Sequence, residues 1–333
     1  MATQIKIVDA ASGAGNEITT ATLNNGQQLN LYAVALDHFG SYVGDATVNW
    51  NASLANGHLT NLTGSSTTFI PNGDQGNVVL SATHTHLGAD TTGSIAVTYD
   101  VEDIAGLTLW LRADSFIGSL APNDNVIIWQ DVNGTGKFLN SLGPGQEPSY
   151  ITNAINGHPA VRFNAIDSDG MQSGFNLASL ITISEFTYFI VFNPTTISTD
   201  DADPINNNAL IIDSNGNFGA TLRSGAPLVQ TYNFDGARTE VTKGISLAEN
   251  YLFTSYHEAG NLHAQLNGDS VADVVSGNTD NLGGLLTVGG GLASAGFYDG
   301  DIAEIIIFNN SLSSADRLTV QNYLCAKYAL PCP

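Results

Sequence analysis

The apolar residues of this chain come in short alternating runs cut off by turn residues, and that spacing restricts the fold more than any other feature. IKIVDA, QLNLYAVALD, ATVNWNASL, STTFIPNG, NVVLSATH and SIAVTYDV follow one another up to residue 101. Alternation sends one kind of side chain to each face of an extended strand, and no helical period competes with it. Strands at this spacing predict a β-sandwich, with Trp50 of TVNWN as its core aromatic. The pattern resumes at LTLWLRADSF and continues through NVIIWQDV, AVRFNA, FTYFIVFNP and later runs to DIAEIIIFNN. Asn215-Gly216, Asp235-Gly236 and Asn267-Gly268 fall between runs, where glycine admits the positive φ of tight hairpins. Only the tail departs from this pattern. Ser313 with Asp316 makes a capping-box-like start, preceded by Leu312 and followed by Leu318, Tyr323, Leu324 and Tyr328, which predicts one terminal helix.

The expected class is therefore all-β: a sandwich over residues 1–101, a second sandwich over 105–333, and a short C-terminal helix. A length of 333 residues suits about two domains. The connecting DVEDIAG is neither proline- nor serine-rich, so the two are expected to be held close. Thirty-one acidic against nine basic residues, a net charge of −22, would repel phosphate backbones and anionic lipid, which argues against nucleic-acid partners. No apolar stretch approaches the roughly 20 residues of a membrane span, so no membrane insertion is expected. MATQIKIVDA lacks the charged start and apolar middle of a signal peptide, which reads as a mature or recombinant beginning. Cys325 and Cys332 in CAKYALPC are spaced to close one small loop, worth roughly 2 kcal/mol, or to remain two thiols in a frayed tail. The paired count fits an oxidising, extracellular setting. Sequons at Asn51, Asn61, Asn133 and Asn309 are what chance produces in an Asn-rich chain.

Two resemblances sharpen the class. The strand pair GQQLNLYAVALDHFG, then VNWNAS and GNVVLSATHTHLGADTTGSIAVTYD, resembles bacterial Ig-like domains of the invasin type, which implies a spacer or stalk. The segments LTLWLRADS, VIIWQDVNGTG, HPAVRFNA, FTYFIVFNP, NLHAQLNGDSV and YDGDIAEIIIFNNSLSSADRLTVQNYLCAKYAL resemble the bacterial laminin-G-like branch of the concanavalin A-like lectin/glucanase superfamily. That resemblance implies a jelly-roll sandwich. The superfamily hosts lectin modules, hydrolases, lyases and adhesion domains alike, so fold alone does not set function.

The candidate chemistry is sparse. Asp301 and Glu304 in GDIAEIIIFNN stand three apart, so on a regular strand they point to opposite faces about 10 Å apart, whereas glycosidase carboxylates share one cleft. The same alternation groups Glu304 with Ile302, Ile306 and Phe308, and Ala303 with Ile305 and Ile307. The E-x-D-x-E run of the superfamily's hydrolases and the Gln-x-His signature of its lyases are both absent. Laminin-G-like domains often carry calcium at a sandwich edge, which makes Asp301 a candidate ligand; Asp131 in DVNGTG, with Asn133, is a second, against ordinary turn chemistry. Asp200, Asp201 and Asp203 of TDDADP read as a solvated acidic loop with a metal as the alternative. DSNGNF superficially matches an EF-hand loop through Asp213, Asn215 and Asn217, but Phe218 stands where glycine is required, so it reads as a hairpin turn. His84 and His86 alternate on one strand without a third zinc ligand nearby in sequence. No nucleophile elbow, Walker loop or H-E-x-x-H is present.

Surface aromatics that could stack on sugar rings remain. Tyr232, Tyr256, His257, His263 and Tyr298 are the expected ligand contacts, with Phe234 and Phe297 near them. The functional expectation is a secreted or surface-displayed, non-catalytic binding or adhesion protein that recognises carbohydrate or another surface ligand. The rivals are a self-associating structural subunit of a fibre, surface layer or virion appendage, and a polysaccharide hydrolase or lyase with a variant acid set.

Overall fold

The computed structural model describes residues 1–331 except 24–26, 54–56, 72–75, 99, 198–207, 224–226, 236, 277–281 and 291–295. It divides into two compact units, Met1–Ile104 and Ala105–Pro333. Among the described residues nearly all regular structure is β, with one α-helix at the C-terminal end. Among the described residues no helix is long and apolar enough to cross a membrane.

In the first unit, Gln4–Val8, Leu29–Leu36, Ser66–Pro71 and Gly57–Leu59 lie side by side, with Tyr42–Asp45 also on Leu29–Leu36. A second sheet runs Gly88–Thr91, Leu80–His84, Val48–Ala52 and Thr63–Gly64, and a small third sheet joins Ala21–Leu23, Ile95–Val97 and Gly76–Val78. The alternating residues Ile5, Ile7, Leu31, Ala33, Leu80 and Ala82 are buried together with Phe69 and Trp50. The Trp50 indole donates to the Gly64 carbonyl at 3.0 Å, which satisfies the polar end of a ring the sequence placed in the core.

The second unit is built on two larger sheets. In one, Ser149–Ile155, His158–Phe163, Asp299–Phe308, Phe186–Thr196, Tyr251–Glu258, Asn261–Leu266 and Ala272–Val275 are consecutive neighbours, and Leu107–Arg112 also pairs with Asp299–Phe308. The other runs Ile128–Gln130, Phe138–Ser141, Met171–Asn176, Leu285–Val288, Ala209–Asp213, Phe218–Arg223, Leu228–Asp235 and Ala237–Gly244. Leu111, Trp129, Phe163, Phe186, Tyr188, Ile190, Leu210, Phe218 and Ile305 contribute to one continuous core. Asn267 and Gly268 take φ of 51° and 68°, the left-handed pair that a two-residue hairpin requires. Asn215-Gly216 follows Ala209–Asp213, with the Gly216 N–H on the Asp213 carbonyl at 2.7 Å; Gly236 lies outside the described residues.

The strand Asp299–Phe308 breaks its own alternation. Its partners on Phe186–Thr196 shift register between Val191 and Phe192, which face Glu304 and Ile302, so Ala303 is the extra residue of a β-bulge. Parity reverses there, and Ile302 joins Ile305 and Ile307 in the core instead of siding with Glu304. Asp301 and Glu304 therefore both face outward, a correction to strict alternation whose cause is the bulge.

The helix Ser314–Tyr328 starts as its capping residues predict: the Ser313 hydroxyl oxygen accepts from the Asp316 N–H. It ends at Ala329 in the left-handed region, φ 50°. Its buried face carries Val320, Gln321, Leu324, Cys325 and Tyr328, and Leu318 is exposed.

Candidate functional site

Glu304, buried at 1% exposure, is the point where the helix is tied to the sheet. Its Oε1 accepts from the Trp110 indole at 2.6 Å and the Tyr323 hydroxyl at 3.0 Å. Its Oε2 accepts from the Lys327 ammonium at 2.7 Å and the Tyr328 hydroxyl at 2.8 Å. Lys327 also reaches Asp114 at 2.8 Å. Burial pulls the Lys327 pKa down, but the Glu304 charge and the bonds to Asp114 and Glu304 outweigh it, and the net shift is upward. Burial, then the Glu304 charge, push Tyr323 and Tyr328 well above the usual phenol range. Four donors leave this carboxylate no lone pair for a substrate, so its role is structural.

Asp301 is equally committed. Arg162 grips it through one edge of its guanidinium, Nε to Oδ1 at 2.7 Å and Nη2 to Oδ2 at 2.8 Å, and supplies the positive charge a calcium ion would have supplied. Asp131 accepts from the backbone N–H groups of Trp110, Asn133 and Thr135 and from the Thr135 hydroxyl. A carboxylate ringed by donors does not suit a cation, which needs the same lone pairs. Asp301 does not fit the calcium site that the laminin-G resemblance implied, nor does Asp131 fit the cation its turn suggested. Asp213 is fully buried; burial raises its pKa while the backbone N–H groups of Asn215, Asn217 and Gly284 oppose that rise. His84 Nδ1 accepts from the N–H groups of His86 and Leu87 and so closes a turn. Among the described residues no three His, Cys, Asp or Glu converge as metal ligands. Asp200, Asp201, Asp203 and Cys332 lie outside the described residues.

The expected aromatic contacts are mostly interior. Tyr232, Tyr256, His257 and Tyr298 are buried, as is Phe297, while Phe234 is exposed. The Tyr256 ring is covered on its faces by the Arg317 guanidinium, 3.9 Å from the centroid, and by His263, stacked at 4.5 Å. Arg238 lies 4.0 Å over Tyr232, and the Tyr298 hydroxyl donates to the Asp301 carbonyl at 3.2 Å. His257 Nδ1 donates to the Ser184 carbonyl at 2.8 Å, and burial lowers its pKa. Sugar stacking cannot use rings whose faces are already occupied, so these residues are placed by packing.

A cleft that the residue patterns did not single out has the character of a binding site. It encloses about 430 Å³ and is lined by Asn125, Gly145, Glu147, Ser149, Arg162, Asn164, Asp167 and Asp169. Two loops build it. Asn164 organises the loop that follows His158–Phe163: its Oδ1 accepts from the Ile166 N–H, its Nδ2 donates to Asp167, and its backbone N–H donates to Asp169 Oδ2. In the facing loop Gly145, at φ 83°, donates its N–H to Glu147 at 2.7 Å. The Gln146 side chain donates to the Ser168 carbonyl at 3.2 Å and its carbonyl accepts from Gly170 N–H at 3.2 Å, so the two loops are tied together.

Asp169 is the unusual member. It is 5% exposed; its N–H donates to the Asn164 carbonyl at 3.1 Å and its Oδ2 accepts from the Asn164 N–H at 2.9 Å, while among the described residues no donor reaches Oδ1. Burial raises its pKa to about 6; the Asn164 N–H opposes this, and the charges of Asp167 and Glu147 add to it. A second cavity of about 400 Å³ beside Phe116 and Ile128 has Asp131 as its only charge, and that charge is spent. In the sequence the cleft was signalled only by NAIDSDG and GPGQEP, loops dense in residues that bond their own backbone.

No protein-family model matches the sequence, and no curated protein matches it. Solved structures with a similar fold include domain 4 of AbnA, a GH43 extracellular arabinanase from Geobacillus stearothermophilus, in complex with arabinotriose. It is 12% identical, with a TM-score of 0.48 over 65% of this chain and 97% of that one. The binding domain of Paraclostridial Mosquitocidal Protein 1 is 12% identical, with a TM-score of 0.48 over 67% and 53%. The receptor binding domain of botulinum neurotoxin mosaic serotype C/D is 15% identical, with a TM-score of 0.46 over 67% and 52%. This chain thus spans about half the length of the last two. At these scores the likeness transfers no function.

Proposed function

We propose that the Ala105–Pro333 unit is a non-catalytic saccharide-binding module that works through the cleft between the 143–149 and 164–170 loops. The supporting observation is the cleft itself: space for one or two sugar rings, amide and hydroxyl groups from Asn125 and Ser149, and the Asp169 Oδ1, to which nothing among the described residues donates. Sugar hydroxyls donate readily to such an oxygen. Ile166, 89% exposed on the same loop, offers an apolar surface to the C–H face of a ring. The Met1–Ile104 unit serves as a spacer in a secreted or surface-displayed protein, and Cys325 and Cys332 form one bridge. Intact mass before and after reduction checks the bridge.

The test is titration of a saccharide panel by calorimetry, with and without EDTA, alongside release of reducing ends or unsaturated products and the solution mass. Saturable binding that Asn164→Ala and Asp169→Ala abolish supports the module, and retention in EDTA separates it from a calcium-dependent lectin. Product release would replace it with an enzyme. Silence across the panel from a defined oligomer would replace it with a structural subunit.

A further inference from the structure

We propose a second, independent site on the same unit: the open edge of the strand Ile128–Gln130 takes a short extended peptide as an added strand. Ile128–Gln130 ends its sheet, with Phe138–Ser141 on one side and no strand on the other among the described residues. The Ser141 N–H donates to the Ile127 carbonyl and the Asp131 N–H to the Lys137 carbonyl, both at 2.9 Å. Residues 127, 129 and 131 therefore bond inward, and Ile128 and Gln130 turn their N–H and C=O groups away from the sheet. The outward positions beyond them are taken: the Val126 N–H donates to the Pro148 carbonyl at 2.7 Å and the Val132 N–H to the Trp110 carbonyl at 2.9 Å. Two backbone donors and two acceptors are left, on Ile128 and Gln130 alone, and an extended backbone matches their spacing.

The surroundings of that edge state the chemistry of the partner. The cavity of about 400 Å³ is walled by Ile128 and Gln130 on one side and by Ser115, Phe116 and Ser119 on the other, a volume within the range of ordinary ligand pockets. The two serine hydroxyls donate within their own turn, to the Arg112 and Phe116 carbonyls at 2.7 and 2.8 Å. Asp131, the one charged residue of the lining, is met by four donors. Ile128 and Phe138 lie on one face of the paired strands, 42% and 41% exposed, and Ile117 on the turn is 70% exposed. An uncharged, partly apolar slot calls for apolar side chains at the centre of the added strand. The net charge of −22 calls for basic rather than acidic residues on its flanks.

The experiment titrates capped heptapeptides by calorimetry and follows backbone hydrogen exchange at Ile128 and Gln130. The probes are KKVIVKK, its forms with Leu or Phe at the centre, EEVIVEE, and KKVIVKK N-methylated at its three central residues. The expected result is one peptide per chain, exchange at both amides slowed about tenfold or more, weaker binding of EEVIVEE, and a loss of about tenfold or more on N-methylation. Gln130→Pro deletes an outward N–H without breaking a bond inside the sheet, which an edge strand tolerates, and should cost binding about tenfold with thermal unfolding unchanged. Should that variant not fold, the N-methylated peptide makes the same comparison on the parent protein. Binding that survives N-methylation, binding that leaves both amides unprotected, or silence from every peptide at millimolar concentration would overturn strand addition. Protection of the two amides in a dimer without peptide would also overturn it and assign the edge to a second copy of the chain. The saccharide cleft stands or falls separately from all of these outcomes.

Discussion

Replacing Glu304 by glutamine should loosen the C-terminal helix. The change preserves shape and removes one charge and one acceptor. The remaining carbonyl oxygen can keep the Trp110 indole and the Tyr323 hydroxyl, but the new amide then faces the Lys327 ammonium and the Tyr328 hydroxyl, two donors now 2.7 and 2.8 Å from a third. Losing a charge-assisted bond is worth about 1.5–3 kcal/mol, and leaving a buried donor unpaired about 1–3 kcal/mol. Lys327 retains Asp114 at 2.8 Å, which limits the damage, so the sum is about 3–5 kcal/mol, the usual cost of breaking a buried ion pair from one side. With an m-value near 2–3 kcal/mol/M the urea midpoint of the second unit should fall by about 1–2 M. Trp110 fluorescence follows the change directly, because its indole donates to Glu304. Lys327→Met alone and combined with Glu304→Gln completes a cycle, in which the two effects should fall short of additive by about 1.5 kcal/mol or more. A midpoint shift under about 0.3 M for Glu304→Gln, or strict additivity, would refute the network as the anchor of the helix.

Three further outcomes follow from the same geometry. Lys327, Tyr323 and Tyr328 all bind their protons more tightly when folded, so their stabilisation is complete below about pH 10 and is lost as pH rises through the folded pKa values; a pH series of melting temperatures should decline above pH 10 and decline less in Lys327→Met. Asp169 has the same sign in a lower window: its folded pKa of about 6 exceeds the ordinary 3.8, so stability falls as pH rises from 3.8 through 6, and Asp169→Asn should gain about 1–3 kcal/mol at pH 7 by denaturation while losing saccharide binding. Gly284→Ala should destabilise the second unit by several kcal/mol, because its Cβ would lie 1.7 Å from Asp213 Oδ1 and 2.7 Å from the Asn215 nitrogen; a midpoint equal to that of the parent protein would show that the hairpin can shift to admit it.

Alternation, hairpin dipeptides and the Ser313–Asp316 cap are local properties, set by side-chain direction and backbone preference over a few residues. For that reason the all-β class, the Trp50 core position and the terminal helix could be read directly from the order of residues. The parity of Asp301 and Glu304 could not, since a single bulge at Ala303 reverses it and is fixed by pairing with a strand more than a hundred positions earlier. The ring stackers failed for a related reason: whether Tyr256 faces water depends on Arg317, supplied by the distant helix. The cleft is the clearest case, because Glu147 and Asp169 acquire meaning only when two loops close on each other. Composition and periodicity report what each segment prefers. Which charges end up facing one another, and which are already neutralised, is settled by long-range packing that no short window of sequence contains.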